Sequence, residues 1–181
     1  MGMVRSEIDD AARTFMAAQK IFFVATSPLQ AEGHINLSPK GHDTFRILGP
    51  RTVAYLDFNG SGVETIAHLK ENGRIVLMFC AFQEPPDIIR VYGHGRAIEA
   101  HEPGFATLAQ HFPVFEHVRS VIVIEVERVV DSCGYGVPLF QYEGERTQLQ
   151  KWGRKSGAQG LKDYRARKNR KSIDGLPGVS G

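Results

Sequence analysis

Apolar residues occur in short runs that alternate with polar residues along most of the chain, a spacing typical of β-strands. Runs rich in β-branched and aromatic residues fall at 21–26, 34–38, 52–58, 74–82, 87–100 and 120–131. Gly, Pro or Asn bounds most of them, and the connections are short. Strands at this spacing favour an antiparallel barrel over βαβ units, so the pattern predicts a mainly β (α+β) protein with six or seven strands.

Three segments have helical spacing instead, at 6–19, 61–73 and 103–112. In the second, Ser61 is followed three residues later by Glu64, the pattern of a capping box. Gly73 supplies the left-handed residue that ends many helices. His68 lies on the flank of this helix, where we expect it to face solvent.

Composition indicates a protein of the cytoplasm without a membrane segment. No apolar run approaches the roughly 20 residues that span a bilayer, and the N-terminus lacks the pattern of a secretory signal. Cys80 and Cys133 stand in apolar surroundings without metal-ligand spacing. We expect both to be buried free thiols in a reducing compartment.

Charge is unevenly distributed along the chain. Residues 145–174 hold ten Lys or Arg against three Asp or Glu, although the whole chain carries only +2. Aromatic residues are not interleaved with these cations as a base-stacking platform requires, so we do not expect nucleic-acid binding. We divide the chain into a barrel at 1–140 and a basic tail at 141–181, packed on the barrel or on a partner subunit.

Polar residues at two turns form a candidate anion site. Asn36, Ser38 and Lys40 offer an amide, a hydroxyl and an ammonium at alternating positions of one strand. A polar loop then leads into the helix at Val63, whose first N–H groups and dipole favour an anion. Each motif alone is typical of a turn, but their order favours a phosphate site. The loop residues are Asn59, Gly60, Ser61 and Gly62.

From Gly33 to Phe79 the chain reads strand, turn LSPKG, strands, loop DFNGSG, helix VETIAHLKENG and strand RIVLMF. This order resembles the flavin-binding half of the pyridoxamine 5′-phosphate oxidase-like family. The resemblance implies a six-stranded antiparallel split β-barrel with flanking helices, a homodimer, and FMN at its interface. It also implies flavin-dependent oxidoreductase chemistry on an unidentified substrate. Two alternatives stay open: a deazaflavin-dependent reductase, and a non-catalytic flavin-binding or stress protein.

The sequence departs from the vitamin B6 oxidases of that family at two places. Those enzymes carry Ser-Arg-Lys at the start of the helix, where this chain has residues 63–65, Val-Glu-Thr. Lys40, with Arg90 or a cation of the tail, would have to compensate. The oxidases also place an Arg-x-His pair near the C-terminus, whereas no histidine follows His117 here. We therefore do not expect a true vitamin B6 oxidase.

Trp152 is the last candidate for cofactor binding. Related proteins place a tryptophan near the C-terminus beside the flavin, but this side chain is as well suited to anchoring the tail on the barrel. No catalytic side chain is predicted, since hydride transfer to a flavin needs no protein acid or base in principle. The seven histidines lack metal-ligand spacing, and we predict no metal site.

Overall fold

The structure, a computed structural model, describes residues 2–180. It contains eight strands and four helices in that range. The strands are β1 (Val4–Arg5), β2 (Phe22–Thr26), β3 (Asn36–Lys40), β4 (Phe45–Gly49), β5 (Thr52–Phe58), β6 (Arg74–Cys80), β7 (Ile88–Glu99) and β8 (Val118–Ser132). The helices are α1 (Asp10–Ala18), α2 (Glu64–Glu71), α3 (Phe105–Ala109) and α4 (Gln148–Lys168).

All strands belong to one antiparallel sheet in the order β3-β2-β6-β7-β8-β5-β4, with β1 paired to β8. β3 and β4 end the sheet without pairing to each other among the described residues, so the barrel is split. This confirms the predicted fold class but corrects the count of six strands to eight. β1 has only two residues, and the residues of β4 are all half-buried, so neither has a readable alternation of apolar and polar positions.

The core fills the concave side of the sheet with aromatic and branched side chains. Phe22, at its centre, packs on Phe79 and Tyr55 with ring centroids 5.4 and 5.6 Å apart. Along β7 the register shifts between Tyr92 and Gly93, which forms a β-bulge at the glycine. A Cβ on Gly93 would lie 2.1 Å from the carbonyl oxygen of Glu125, so only glycine permits this approach.

α2 packs against β2, and its details correct two predictions. Val63 occupies the N-cap position and no side chain caps the helix, so Ser61 is not its cap. His68 is fully buried rather than exposed to solvent, because it lies on the side of α2 that meets Thr26 of β2. Gly73, at φ +73°, ends the helix as predicted.

The two cysteines differ in their exposure, although both were expected to be buried. Cys80 is buried as expected, but Cys133 is exposed, because it follows the end of β8 in a turn at the surface. Within residues 2–180, no helix has the length and apolarity that crossing a membrane requires.

The tail contacts the barrel within this one chain. α4 bends at Gly157, whose φ is +63°, and Gly153 packs closely on His117. Beyond α4, Val179 is buried in the main core, and the ammonium of Lys70 donates to the carbonyl oxygen of Gly178 over 2.5 Å. These contacts pack the tail against α2 and against His117, just before β8.

Candidate functional site

Two cations meet one buried carboxylate at the open side of the barrel. Lys40, the last residue of β3, places Nζ 3.3 Å from Oδ1 of Asp57 in β5. Arg119 of β8 places Nε 2.5 Å from the other oxygen, Oδ2. Asp57 is fully buried, whereas the Lys40 side chain is 23% exposed. Because one carboxylate cannot neutralise two cations, the cluster has a surplus positive charge that reaches solvent through Lys40.

The titration behaviour of Asp57 agrees with this arrangement. Burial opposes its charge, but Arg119 and Lys40 outweigh burial and hold the pKa of the carboxyl below its ordinary value. Nη1 of Arg119 is buried without a hydrogen-bond partner among residues 2–180. A buried donor on a cation, beside an excess of positive charge, favours an anion at this place.

Tyr55 forms the apolar floor next to this cluster. Its ring centroid lies 6.0 Å from Nζ of Lys40, and burial, with the charge of Asp57, raises its pKa well above the ordinary value. The hydroxyl therefore stays protonated at neutral pH and acts as a neutral group. Tyr55 is fully buried in the main core, so it packs beneath the cationic cluster and exposes no surface to a ligand.

Asn36 and Ser38 lie together, but their hydrogen bonds are mostly to each other and to other residues of the chain. Ser38 Oγ donates to Asn36 Oδ1 over 3.0 Å. Asn36 Nδ2 donates to the hydroxyls of Thr26 and Thr65, over 3.1 and 3.0 Å. Both amide protons are used inside the chain, so Asn36 can offer a ligand only the remaining capacity of its oxygen. These bonds fix β3 against α2, and sequence reasoning missed both threonines.

Thr26 also binds His68, with Oγ1 2.9 Å from Nδ1. Burial lowers the pKa of His68 and keeps the imidazole neutral near pH 7. Nε2, on the other side of the ring, is buried without a hydrogen-bond partner among residues 2–180. The network therefore extends from β3 through β2 into α2.

The predicted phosphate loop is held by the tail. Asn59 is buried and donates from Nδ2 to the carbonyl oxygen of His117 over 2.8 Å, while Arg165 donates to its Oδ1 over 3.3 Å. Asn169 donates to the carbonyl oxygen of Gly60 over 2.8 Å. Ser61 and Gly62 are exposed at the start of α2. The tail thus uses loop carbonyl groups and leaves the outer half of the loop facing solvent.

Arg90 and Trp152 do not join Lys40 in this chain. Cross-strand pairing connects Lys40 through Phe22 and β6 to Ile89, so Arg90, one residue on, projects from the opposite face of the sheet. There it donates from Nη1 to the hydroxyl of Ser132 over 2.9 Å. Trp152 packs edge-on against Tyr164 of the same helix, with centroids 5.0 Å apart.

Metal-ligating side chains do not cluster in the described part of the chain. No group of three or more His, Cys, Asp or Glu residues in positions 2–180 is arranged to hold a metal ion. The chemistry of the site therefore has to be interpreted from its cations and amides.

Comparison with known proteins agrees with the fold. The family model of pyridoxamine 5′-phosphate oxidase matches residues 8–133. The pyridoxamine 5′-phosphate oxidase family protein ustO of Aspergillus flavus is 37% identical over 196 residues, covering 99% of this chain and 78% of that protein.

Two crystal structures share the fold alone. HupZ of Group A Streptococcus is 21% identical with a TM-score of 0.54, covering 74% of this chain and 99% of its own. A Lactobacillus delbrueckii protein named for pyridoxamine 5′-phosphate oxidase is 15% identical with a TM-score of 0.56, covering 71% and 97%. The family model and the Aspergillus relative establish that the chain belongs to the pyridoxamine 5′-phosphate oxidase family.

Proposed function

We propose that this protein binds FMN and acts as a flavin-dependent oxidoreductase on a substrate other than a vitamin B6 phosphate. The observation that carries the proposal is the cluster in which Lys40 and Arg119 share the carboxylate of Asp57. Its surplus positive charge suits a phosphate, and family membership supports a flavin as the molecule that bears it.

The residues present fit FMN in two respects. Lys40 and Arg119 provide cations, and the exposed half of the loop at 59–62 provides backbone N–H groups beside a helix N-terminus. Bound flavin supplies a ring that accepts a hydride and returns the electrons to an acceptor. Asp57 fixes the positions of both cations, and the Asn36 network fixes the strand that ends in Lys40.

A vitamin B6 phosphate fits less well. The vitamin B6 oxidases bind the phosphate of their substrate with an Arg-x-His pair near the C-terminus, and no histidine follows His117 in this chain. This difference supports a different substrate.

We also propose that a second copy of the chain covers the outer face of β3, β2, β6 and β7. Ile35 and Leu37 are 75% and 66% exposed there, and Tyr92 on the same face as Leu37 is 39% exposed. Large apolar side chains exposed on one sheet face are typical of an interface. Arg90 lies on this face, so its predicted role in cofactor binding requires the second copy.

The visible absorption spectrum of the protein as purified tests the cofactor. We expect flavin bands near those of free FMN, and mass spectrometry of the molecule released on denaturation identifies FMN or a deazaflavin. Oxidation of nicotinamide-reduced flavin by the loaded protein then separates an enzyme from a binding module. Protein that is purified without a chromophore and takes up no added FMN would contradict the proposal.

A further inference from the structure

A cleft of about 1060 Å³ lies beyond the site described above. Its three sides are the C-terminal end of α1, the turn at 81–87 after β6, and an extended segment at 138–147 that we call the strap. Ligand sites commonly have volumes of about 300–1,000 Å³, so the cleft is large enough for an aromatic molecule of several rings.

Aromatic side chains form the cleft walls. Phe15 and Phe23 line the inner wall, and Phe82 lines the floor near the turn. On the strap, Phe140 packs on Phe82 with ring centroids 5.4 Å apart, and Tyr142 lines the far side. Flat rings on several walls select a flat ligand, because offset and edge-on ring contacts add to the burial of apolar area.

The strap holds its aromatic residues in place while leaving them accessible. At one end Phe140 donates its N–H to the carbonyl oxygen of Phe82 over 2.9 Å. At the other end Glu145 accepts from the Tyr142 hydroxyl over 2.8 Å and lies 3.0 Å from Nδ1 of His42. Phe140 and Tyr142 nevertheless remain 61% and 46% exposed. A ligand beneath the strap would cover both rings without displacing either attachment.

Charges of both signs line the cleft. Lys20 and Arg146 oppose Glu84 and Asp87, while Glu145 is occupied by His42 and Tyr142. This near balance contrasts with the surplus positive charge around Asp57. Because the two signs nearly cancel, the lining as a whole does not favour an anion, and an uncharged ligand suits it.

The cleft opens next to the candidate anion site. Gly41 and His42, which follow Lys40 directly, belong to its lining. Phe23, which pairs with Pro39, projects from the outer face of β2, so the cleft also reaches the edge of the face proposed for the second copy. We infer that the cleft is a second binding site, which takes an uncharged, flat aromatic molecule. This goes beyond flavin binding and does not depend on it.

Nile red, an uncharged aromatic dye whose emission shifts to the blue in apolar surroundings, serves as the probe. We expect saturable binding to the full-length protein at one dye per chain. Tyr142→Ala should weaken dye affinity about fivefold, in keeping with the loss of one aromatic contact. The matched control is Tyr135→Ala, since Tyr135 is 81% exposed just before the strap and does not line the cleft. It should change dye affinity less than about twofold.

Two results would overturn the inference. One is dye binding that does not saturate or is equally strong in both variants. The other is a wild-type protein that binds no dye, together with a Tyr142→Ala variant that no longer forms a dimer. That result would assign the cleft to a second copy of the chain. FMN titration of the same variants keeps the two proposals apart, because cleft substitutions should leave FMN affinity unchanged. Circular dichroism and melting of each variant confirm that the fold is intact.

Discussion

Lys40 and Asp57 connect the two sides of the open barrel, with Nζ 3.3 Å from Oδ1. β3 ends the sheet on one side, and β5 is the last strand but one on the other. No backbone pairing joins β3 to β4 in the described residues, so this ion pair links the two sides by side chains. The contact that closes the barrel is therefore also the cationic edge of the candidate site.

Replacing Lys40 by alanine should weaken FMN binding about tenfold to a hundredfold. The variant removes a charge-assisted hydrogen bond to the phosphate, worth roughly 1.5–3 kcal/mol. Asp57 keeps Arg119 as a partner, so the fold should survive. Quenching of FMN fluorescence during titration of the apoprotein measures the affinity.

Lys155→Ala is the matched control for this experiment, since it removes the same charge from an exposed position on α4. Its FMN affinity should stay within about twofold of wild type. Equal affinities for all three proteins would remove Lys40 from the site.

Asp57→Asn should lower the free energy of unfolding at pH 7 by about 3–5 kcal/mol, because it leaves two cations without their buried partner. The pKa of Asp57 is lowered in the folded protein, so its contribution is complete above the unfolded pKa of about 3.9. It is lost as pH falls through the folded pKa. The difference between wild type and variant in urea unfolding should therefore shrink below about pH 4.

Asp43→Asn provides the comparison for the acid dependence. Asp43 also has a lowered pKa, owing to its hydrogen bond with Arg46, but its side chain is 63% exposed. Exposed ion pairs contribute about 0–1 kcal/mol, so this variant should unfold nearly like wild type. If Asp57→Asn lowered the free energy of unfolding by an equally small amount, the buried cluster would contribute little to stability.

The sequence predicted the strands that have clean periodicity and missed the groups that depend on distant contacts. β5 was predicted with its observed bounds because its apolar run is continuous. Asp57 stands within that run, and Arg119 stands at the start of another. A charge inside a strand predicted to be buried is a signal that it has a partner. Which partner it has depends on sheet order, and local spacing cannot supply that order.

His68 shows the same limit for helices. The helix spacing was correct, but the side that faces β2 is set by tertiary packing, and Thr26 lies 42 positions away in the chain. Ser61 was expected to cap α2 because Glu64 follows at the right interval, yet the helix begins at Glu64 and the tail binds that carboxylate. The capping-box pattern therefore failed here, because Glu64 contacts Ile173, more than 100 residues away in the chain.

Gly153→Ala should loosen the tail from the barrel. A Cβ at this position would lie 2.8 Å from Cβ of His117, too close for either backbone to remain in place. We expect the free energy of unfolding to fall by about 1–3 kcal/mol, the usual cost of overpacking. We also expect α4 to be cleaved faster in limited proteolysis.

Gly160→Ala, on the same helix, is the control. Its Cβ would meet only Cβ of Ser156, at 3.3 Å, and alanine favours helix over glycine by about 1 kcal/mol. This variant should be as stable as wild type or slightly more stable. Identical proteolysis of both variants would show that α4 does not depend on the His117 contact.

Leu37→Asp should dissociate the proposed dimer. Leu37 is 66% exposed on the outer face of β3, and an aspartate there would be desolvated in a symmetric interface. Val114→Asp, at a residue 97% exposed and away from this sheet, should leave the dimer intact. Sedimentation at matched concentrations measures both, and flavin retained by the Leu37→Asp monomer would contradict a shared site.

The flavin-loaded protein should not oxidise pyridoxamine 5′-phosphate or pyridoxine 5′-phosphate at a useful rate. A phosphate dianion must be met by fixed cations, and the Arg-x-His pair that meets it in the vitamin B6 oxidases has no counterpart after His117. The tail has many cations, but Lys151, Arg154 and their neighbours are exposed and can attract a substrate without orienting it. Misplacement of the reacting carbon by about 1 Å can cost a hundredfold in rate.

Formation of pyridoxal 5′-phosphate, followed by its absorbance after adding either substrate, measures this reaction directly. Turnover near one per second, within the ordinary range of enzymes, would show that the tail forms a phosphate pocket after all.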